Sequence, residues 1–267
     1  MTWIFLNKNN SDEYIEMFAS GSKVVPTCLE TWRYEDSDAP LVLRGIMKHK
    51  IIKRCWADHR PFYYMDSGYL GNRPGLANPN GWKHWHRIVL NDLQHGDIID
   101  RPSDRLKRLN VKINPQQEPG QDILIVAPDE KPCTFYDITL AEWLKTTVDT
   151  IKQHTDRPIR MRERPASRWD RKTQRPEEWL HDVHAVVTFN STAAIESVLA
   201  GVPVFVTAPA NAARPVSNLN LQAIETPWFP DLDQIYKWAC HLAYGQFHID
   251  ELANGTAAAI LKETQNA

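Results

Sequence analysis

The chain has 267 residues, with 31 Lys and Arg against 33 Asp and Glu, and a formal net charge of −2 at pH 7. This length allows one large domain or two small ones, and the balanced charge excludes binding to nucleic acid as a polycation, so any such contact must come from local patches. The cysteines at 28, 55, 133 and 240 form no C-x-x-C pair, which argues against a zinc site or a disulfide scaffold and for a reducing, cytoplasmic setting.

Residues 2–6 read as a strand rather than a secretion signal, for want of a long apolar run and a cleavage site, and no segment is long enough to span a bilayer. Asp12 to Ser20 reads as a helix capped by Ser11. Ser22–Pro26 and Pro40–Leu43 read as short strands on either side of a polar loop at 31–39. Gly45–Trp56 reads as a helix carrying Lys48, Lys50, Lys53 and Arg54. Phe62–Met65 is a strand running into Asp66-Ser67-Gly68-Tyr69, a Gly/Asn/Pro-rich loop follows at 71–81, and Trp85–Leu90 is a further strand. The stretch 101–122 turns basic through Arg101, Arg105, Lys107, Arg108 and Lys112, and Asn114–Gly120 has the composition of a linker. This predicts an N-terminal domain at 1–115, a second domain at 116–250 and a C-terminal helix at 251–267.

The second half alternates more cleanly. Asp122–Ala127 is a continuous apolar run expected of a buried strand, Thr139–His154 has apolar residues at helical spacing, and Pro158–Arg162 is a strand. Trp179–Asp182 closes a short helix, and Asp231–Tyr244 and Ile249–Lys262 read as terminal helices. Strands separated by helices imply a parallel sheet, whose ligands sit beyond the carboxyl ends of the strands.

The most informative segment is Ala185–Val206. A β-branched run ends at Phe189, Asn190-Ser191-Thr192 supplies small hydrogen-bonding residues, Ala193–Ala200 is helix-forming, and Gly201 and Pro203 stop the helix before a second strand. Ser and Thr cap many helices, but here Glu196 interrupts an otherwise apolar helix one turn inside, on the Thr192 side. The free N–H groups, two hydroxyls and a helix dipole suit a phosphate, and the carboxylate suits a sugar hydroxyl. Just upstream, Arg157, Arg160, Arg162, Arg164, Arg168, Arg171, Lys172 and Arg175 meet only Glu163 and Asp170. Arg160 and Arg162 share one strand face, with Arg164 extending the row. On a neighbouring strand they would face the Ser191/Thr192 turn and hold a diphosphate from both sides, since guanidinium forks match phosphate oxygens. The competing reading is a solvated loop with surplus charge. In the first half, Asp66 at a strand end is a candidate general base or an ordinary turn aspartate. His84 and His86, spaced by two, are second base candidates; no third ligand has metal spacing, so no metal is expected.

Asn190–Glu196 followed by Ala200-Gly201-Val202-Pro203-Val204 resembles the donor-site segment of GT-B-type sugar transferases. It is similar to the C-terminal halves of capsule-polysaccharide transferases and sugar-nucleotide 2-epimerases. The whole chain resembles a family of bacteriophage glycosyltransferases through Gly45-Ile46 before a basic helix, Phe62–Tyr69, Pro158–Arg162 and Leu242–Phe247. The resemblance implies an α/β fold of two Rossmann-like domains facing a cleft. It implies a glycosyltransferase of the infected host's cytoplasm that takes a nucleotide sugar such as a UDP-sugar and needs no other cofactor. Donor contacts would come from Arg160, Arg162, Arg164, Asn190, Ser191, Thr192 and Glu196, with Arg162 also neutralising the leaving diphosphate and Asp66 as the base. Capsule-type transferases often carry His-Pro where this chain has Arg164-Pro165, so an arginine would take the histidine's place. The implied acceptor is a 5-hydroxymethylpyrimidine, such as 5-hydroxymethylcytosine, in double-stranded phage DNA. Lys53, Arg54, Tyr69, Trp82, His84, Trp85 and His86 would contact it, with aromatic side chains filling the gap left by a flipped base. A glycan acceptor, a sugar-nucleotide epimerase and a non-catalytic binding module are the alternative readings.

Overall fold

The computed structural model of the protein describes residues 3–8, 12–71, 84–162 and 176–265. Ser11, Trp82, Arg164, the Arg168–Arg175 cluster and all but Gly71 of the 71–81 loop lie outside the described residues. In chain order the elements are β1 (Ile4–Asn7), α1 (Glu13–Gly21), β2 (Thr27–Cys28), β3 (Leu41–Arg44), α2 (His49–Ala57), β4 (Phe62–Ser67), β5 (Trp85–Leu90), α3 (Asp104–Leu109), β6 (Asp122–Val126) and α4 (Glu130–Phe135). There follow α5 (Leu140–Lys152), β7 (Ile159–Arg162), α6 (Pro176–Trp179), β8 (Val183–Thr188), α7 (Ala193–Ala200), β9 (Val204–Val206), α8 (Leu232–Tyr244), β10 (Gln246–His248), α9 (Ile249–Ala253) and α10 (Thr256–Gln265). They form two compact units of mixed α/β structure: the first runs to Leu93 and resumes at Gly245, and the second is Gln94–Tyr244.

The first unit holds a six-stranded sheet in the order β10-β5-β4-β3-β1-β2. β2, β1, β3 and β4 pair in parallel, while β5 and β10 are antiparallel to their neighbours. Alternate residues of four strands, Phe5, Val42, Tyr63 and Ile88, point to one core with Ile15 and Phe18 of α1 and Leu252 of α9. Burying Ile15 and Phe18, both fully enclosed, contributes about 1.5–3 kcal/mol each. Asp12, not Ser11, caps α1: its carboxylate accepts from the Ile15 N–H.

The second unit holds a four-stranded, all-parallel sheet in the order β7-β6-β8-β9. Every residue of β8 is buried, as a strand covered on both faces requires. α5 begins with a reciprocal capping box between Thr139 and Glu142 and buries Trp143, Thr147 and Ile151.

The structure departs from the sequence reading in four places. The Asn114–Gly120 stretch is not a linker between the units: the Asn114 N–H donates to the Leu199 carbonyl and the Gln117 N–H to the Gly201 carbonyl, both at 2.9 Å, and the basic stretch before it is packed within the second unit. In that basic stretch α3 lies against α8, Arg105 turns inward to donate to the Ala243 carbonyl at 3.0 Å, and Asp104 accepts from the Tyr244 hydroxyl at 2.6 Å. The units accordingly divide at Leu93/Gln94 rather than 115/116. The chain then returns to the first unit, because Gln246–His248 adds an edge strand to β5 and buries Gln246. The strand expected at Ser22–Pro26 does not form, since Ser22 ends α1 and Lys23 turns the chain with φ +58°, and the strand β2 follows it at Thr27–Cys28. The single helix expected at Ile249–Lys262 breaks at Gly255 (φ +88°), where a Cβ would meet the Gly21 carbonyl oxygen at 2.7 Å.

Candidate functional site

The sheet order of the second unit positions the site. From β6 the chain crosses to β7 on one side and returns to β8 on the other. The topological switch point therefore lies between β6 and β8, where open parallel sheets bind ligands beyond their carboxyl ends. The register of this pair ends at Val126 and Thr188, and the Thr188 hydroxyl donates to the Val126 carbonyl at 2.9 Å, tying the two exits together.

Asn190-Ser191-Thr192 leaves β8 at this point. The turn is anchored through Phe189, whose ring meets Tyr136 (5.3 Å) and Trp143 (6.2 Å) and whose carbonyl accepts from the Ala208 N–H and the Asn211 amide. The Ser191 hydroxyl oxygen accepts from the Ala193 N–H at 3.2 Å, and the Ser191 and Thr192 carbonyls accept from Ala194, Ile195 and Glu196. The Thr192 hydroxyl, by contrast, makes no capping bond and its residue is exposed. Among the described residues no acceptor faces the N–H groups of Asn190, Ser191 and Thr192. Three consecutive donors and the positive end of an eight-residue helix are thus available to an anion. Glu196 is half-buried one turn along, on the side of Thr192. At the other end Gly201 adopts φ +92° and closes the helix in left-handed conformation.

Three further residues belong to this edge and were not singled out from sequence. Asp129 and Glu130 stand at the exit of β6 and open α4. Asn211, 2% exposed, fixes the turn from the loop after β9. Its only sequence signal is a single amide in the small-residue run Ala208–Ala213.

The arginine strand lies elsewhere than expected. β6 separates β7 from β8, so Arg160 and Arg162 sit two strands from the Ser191 turn, about 10 Å across the sheet. Arg160 instead pairs with Asp122, the first residue of β6, at 3.1 Å and donates to the carbonyl of His181, just before β8, at 2.9 Å. The Arg162 guanidinium stacks over the Trp179 ring at 4.0 Å. The more apolar β6 takes the centre of the sheet, which chain order alone does not reveal.

In the first unit, Asp66, next to last in β4, sits in a network. Its carboxylate accepts from the Tyr64 hydroxyl (2.6 Å) and the Ser67 N–H (2.8 Å) and pairs with Arg87 (3.5 Å). Burial opposes ionisation, but the Arg87 guanidinium and these two hydrogen bonds outweigh it and hold the carboxyl below its usual value. The same contact pushes the Tyr64 phenol well up, burial being the larger cause. Arg87 is itself buried and donates to the Ser67 carbonyl at 2.6 Å.

The expected acceptor residues are spread over the unit. Tyr69 is buried and its N–H donates to Gln246 at 2.7 Å. The His84 and Trp85 rings each lie edge-on to His248, and His86 is buried with its ring 4.1 Å from Tyr14. Lys53 is half-exposed on α2, and Arg54 is exposed, paired with Glu35 (2.8 Å) and Asp58 (3.4 Å) and stacked on Tyr34. Among the described residues no group of three or more His, Cys, Asp and Glu side chains is arranged to hold a metal, and no helix is long and apolar enough to cross a membrane.

No protein-family model matches the chain, and no curated protein sequence matches it. Among solved structures, the chain is similar to Thermosulfurimonas dismutans KpsC, beta Kdo 2,4 transferase, with 11% identity and a TM-score of 0.47 over 91% of this chain and 98% of that one. It is also similar to Thermosulfurimonas dismutans KpsC, beta Kdo 2,7 transferase, with 15% identity and a TM-score of 0.43 over 97% of this chain and 99% of that one.

Proposed function

We propose that the protein is a glycosyltransferase that takes a nucleotide-sugar donor at the Asn190–Thr192 turn and transfers the sugar to a hydroxyl acceptor. The observation that carries the reading is the set of three N–H donors without an acceptor among the described residues, at the switch point of a parallel sheet, with Glu196 one turn behind them. Donor phosphates take the N–H groups and the Ser191 and Thr192 hydroxyls, and Glu196 accepts from donor hydroxyls. In transfer, the acceptor oxygen bonds to the anomeric carbon as the bond to the phosphate oxygen breaks. The helix terminus stabilises charge gathering on the leaving phosphate. Asp66 is the proposed base. Its lowered pKa keeps it ionised at neutral pH at the expense of proton affinity. The GT-B reading assigns donor binding to the second unit and acceptor binding to the first.

The acceptor reading from sequence was a 5-hydroxymethylpyrimidine in DNA. A duplex would be held by basic residues of the first half, of which Arg54 is paired with Glu35 and Asp58, Arg105 is buried, and Arg108 lies 3.8 Å from Asp104. These pairings favour a glycan hydroxyl over a duplex held by its phosphates.

The test is a transfer assay read by mass spectrometry. A panel of nucleotide sugars is offered with duplex DNA containing 5-hydroxymethylcytosine, with unmodified DNA and with oligosaccharides. A sugar-sized mass gain on one acceptor establishes transfer and names the acceptor class. A product formed from the donor alone indicates an epimerase. Binding without turnover indicates a binding module. In parallel, Glu196→Ala is expected to weaken donor binding at least tenfold by calorimetry, the loss of one charge-assisted hydrogen bond. Unchanged affinity removes Glu196 from the site.

A further inference from the structure

The first sheet has a switch point of its own. β1 is followed by β2 on one side, and β3 then pairs with β1 on the other. The crevice beyond the carboxyl ends of β1 and β3 is therefore placed as ligand crevices of open α/β sheets are. Arg44 ends β3 and Lys48 follows it, with Gly45 between them at φ +85°. A Cβ on Gly45 would meet nothing within 4 Å, so the floor between the two cations is open.

Each cation is held, but only in part. Arg44 spends Nη1 on Asp12 at 3.3 Å and lays its guanidinium over the Tyr14 ring at 4.6 Å. Among the described residues its Nη2 has no acceptor. The Lys48 ammonium donates to the Arg44 carbonyl, and among the described residues its other two N–H groups have no acceptor. Lys8, at the exit of β1, adds a third positive charge close enough to act on Lys48. The carboxylates nearby are already taken: Asp12 by Arg44, and Asp66 by Arg87 and Tyr64. Burial lowers the Lys48 pKa, as an ammonium kept in a partly dry crevice requires. An anion entering here would favour its charged form.

We infer that this crevice is a second ligand site, which binds the anionic group of a small hydroxyl-bearing molecule through Arg44 Nη2 and the Lys48 ammonium. The anion is a phosphate or a carboxylate, since both accept from a guanidinium and an ammonium in the same geometry. The inference goes beyond the donor reading and stands whether or not the second unit handles a nucleotide sugar.

The full chain is titrated by calorimetry with glucose 6-phosphate, glucuronate and glucose. Lys48→Gln, which keeps a donor for the Arg44 carbonyl, and Arg44→Gln test the site. Ser191→Ala tests the turn of the second unit, and thermal melts establish that each variant is folded. The expected result is binding of at least one charged sugar and not of glucose, weakened tenfold or more in Lys48→Gln and unchanged in Ser191→Ala. Binding of only the phosphate or only the carboxylate sugar names the source of the anion. The inference is overturned if neither charged sugar binds, if glucose binds equally well, or if folded Lys48→Gln and Arg44→Gln both keep wild-type affinity. A loss confined to Ser191→Ala also overturns it, because the anion then belongs to the second unit's turn. Failure of the donor reading shows separately, as nucleotide sugars that bind neither wild type nor Lys48→Gln.

Discussion

Arg87→Met removes one partner of a largely enclosed ion pair. The Arg87 side chain is 8% exposed and that of Asp66 33%. The substitution deletes the pairing with Asp66 and the hydrogen bonds to the Ser67 and Leu93 carbonyls at 2.6 and 3.3 Å, and it leaves the Asp66 charge without its counter-ion. Breaking a buried pair from one side costs about 3–5 kcal/mol, and the partial exposure of Asp66 places this case at about 3 kcal/mol. That corresponds to a fall in Tm of roughly 6–12 °C. The effect depends on pH with a definite sign. In the wild type the native pKa of Asp66 lies below its ordinary value of 3.8, so its contribution is present above that value and is lost as pH falls through the native pKa. Without Arg87, burial dominates and the native pKa rises, so the variant gains relative stability on acidification. The Tm gap between wild type and Arg87→Met is therefore expected to be widest at neutral pH and to narrow toward pH 3.8. Adding Asp66→Asn should recover part of the loss, with a coupling above about 1 kcal/mol. A cost under about 1 kcal/mol, a gap independent of pH, or an additive double mutant would refute the reasoning.

Gly201→Ala places a Cβ 2.1 Å from the Pro115 carbonyl oxygen on a residue with φ +92°. A loss of about 2 kcal/mol or more is expected in denaturant unfolding, and an unchanged midpoint would remove the steric argument. His241 is buried, and desolvation, with Arg101 adding to it, pushes its pKa down to about 4. With the folded value below the unfolded value of 6.5, stability falls as pH drops from 6.5 toward 4, by about 3 kcal/mol. His241→Leu should flatten that part of the stability–pH profile, and an identical slope in the variant would assign it to other groups. Arg160→Met should lower Tm, because its contacts with Asp122 and the His181 carbonyl are lost, while leaving nucleotide-sugar affinity unchanged. A selective loss of affinity would return Arg160 to the donor site.

Much of the local structure was legible in the sequence because it rests on short-range physics. The run Ala185–Val206 announced strand, turn, helix and strand through β-branched residues, small polar residues and the Gly201 stop, and each element forms there. The same reading fixed Asn190–Thr192 at a strand's carboxyl end, because a parallel sheet leaves its βα turns on one edge. What failed was what depends on partners remote in sequence. The composition of Asn114–Gly120 suggested a linker, but its Asn114 and Gln117 N–H groups bond the Leu199 and Gly201 carbonyls, and Arg105 before it is drawn inward by a carbonyl 138 residues away. Arg160 and Arg162 alternated as a phosphate-facing row should, yet β6 lies between them and the turn, and Arg160 finds its counter-ion in Asp122. Nothing local in Gln246–His248 distinguishes a loop from the edge strand that recognises β5. Periodicity and capping are properties of a few adjacent residues, so the sequence by itself determined most of the helices and strands and the position of the Asn190–Thr192 turn. Sheet order, which charges neutralise one another, and the pairing of Arg44 with Asp12 beside Lys48 were decided only by the tertiary structure, because they depend on which distant segments share an edge.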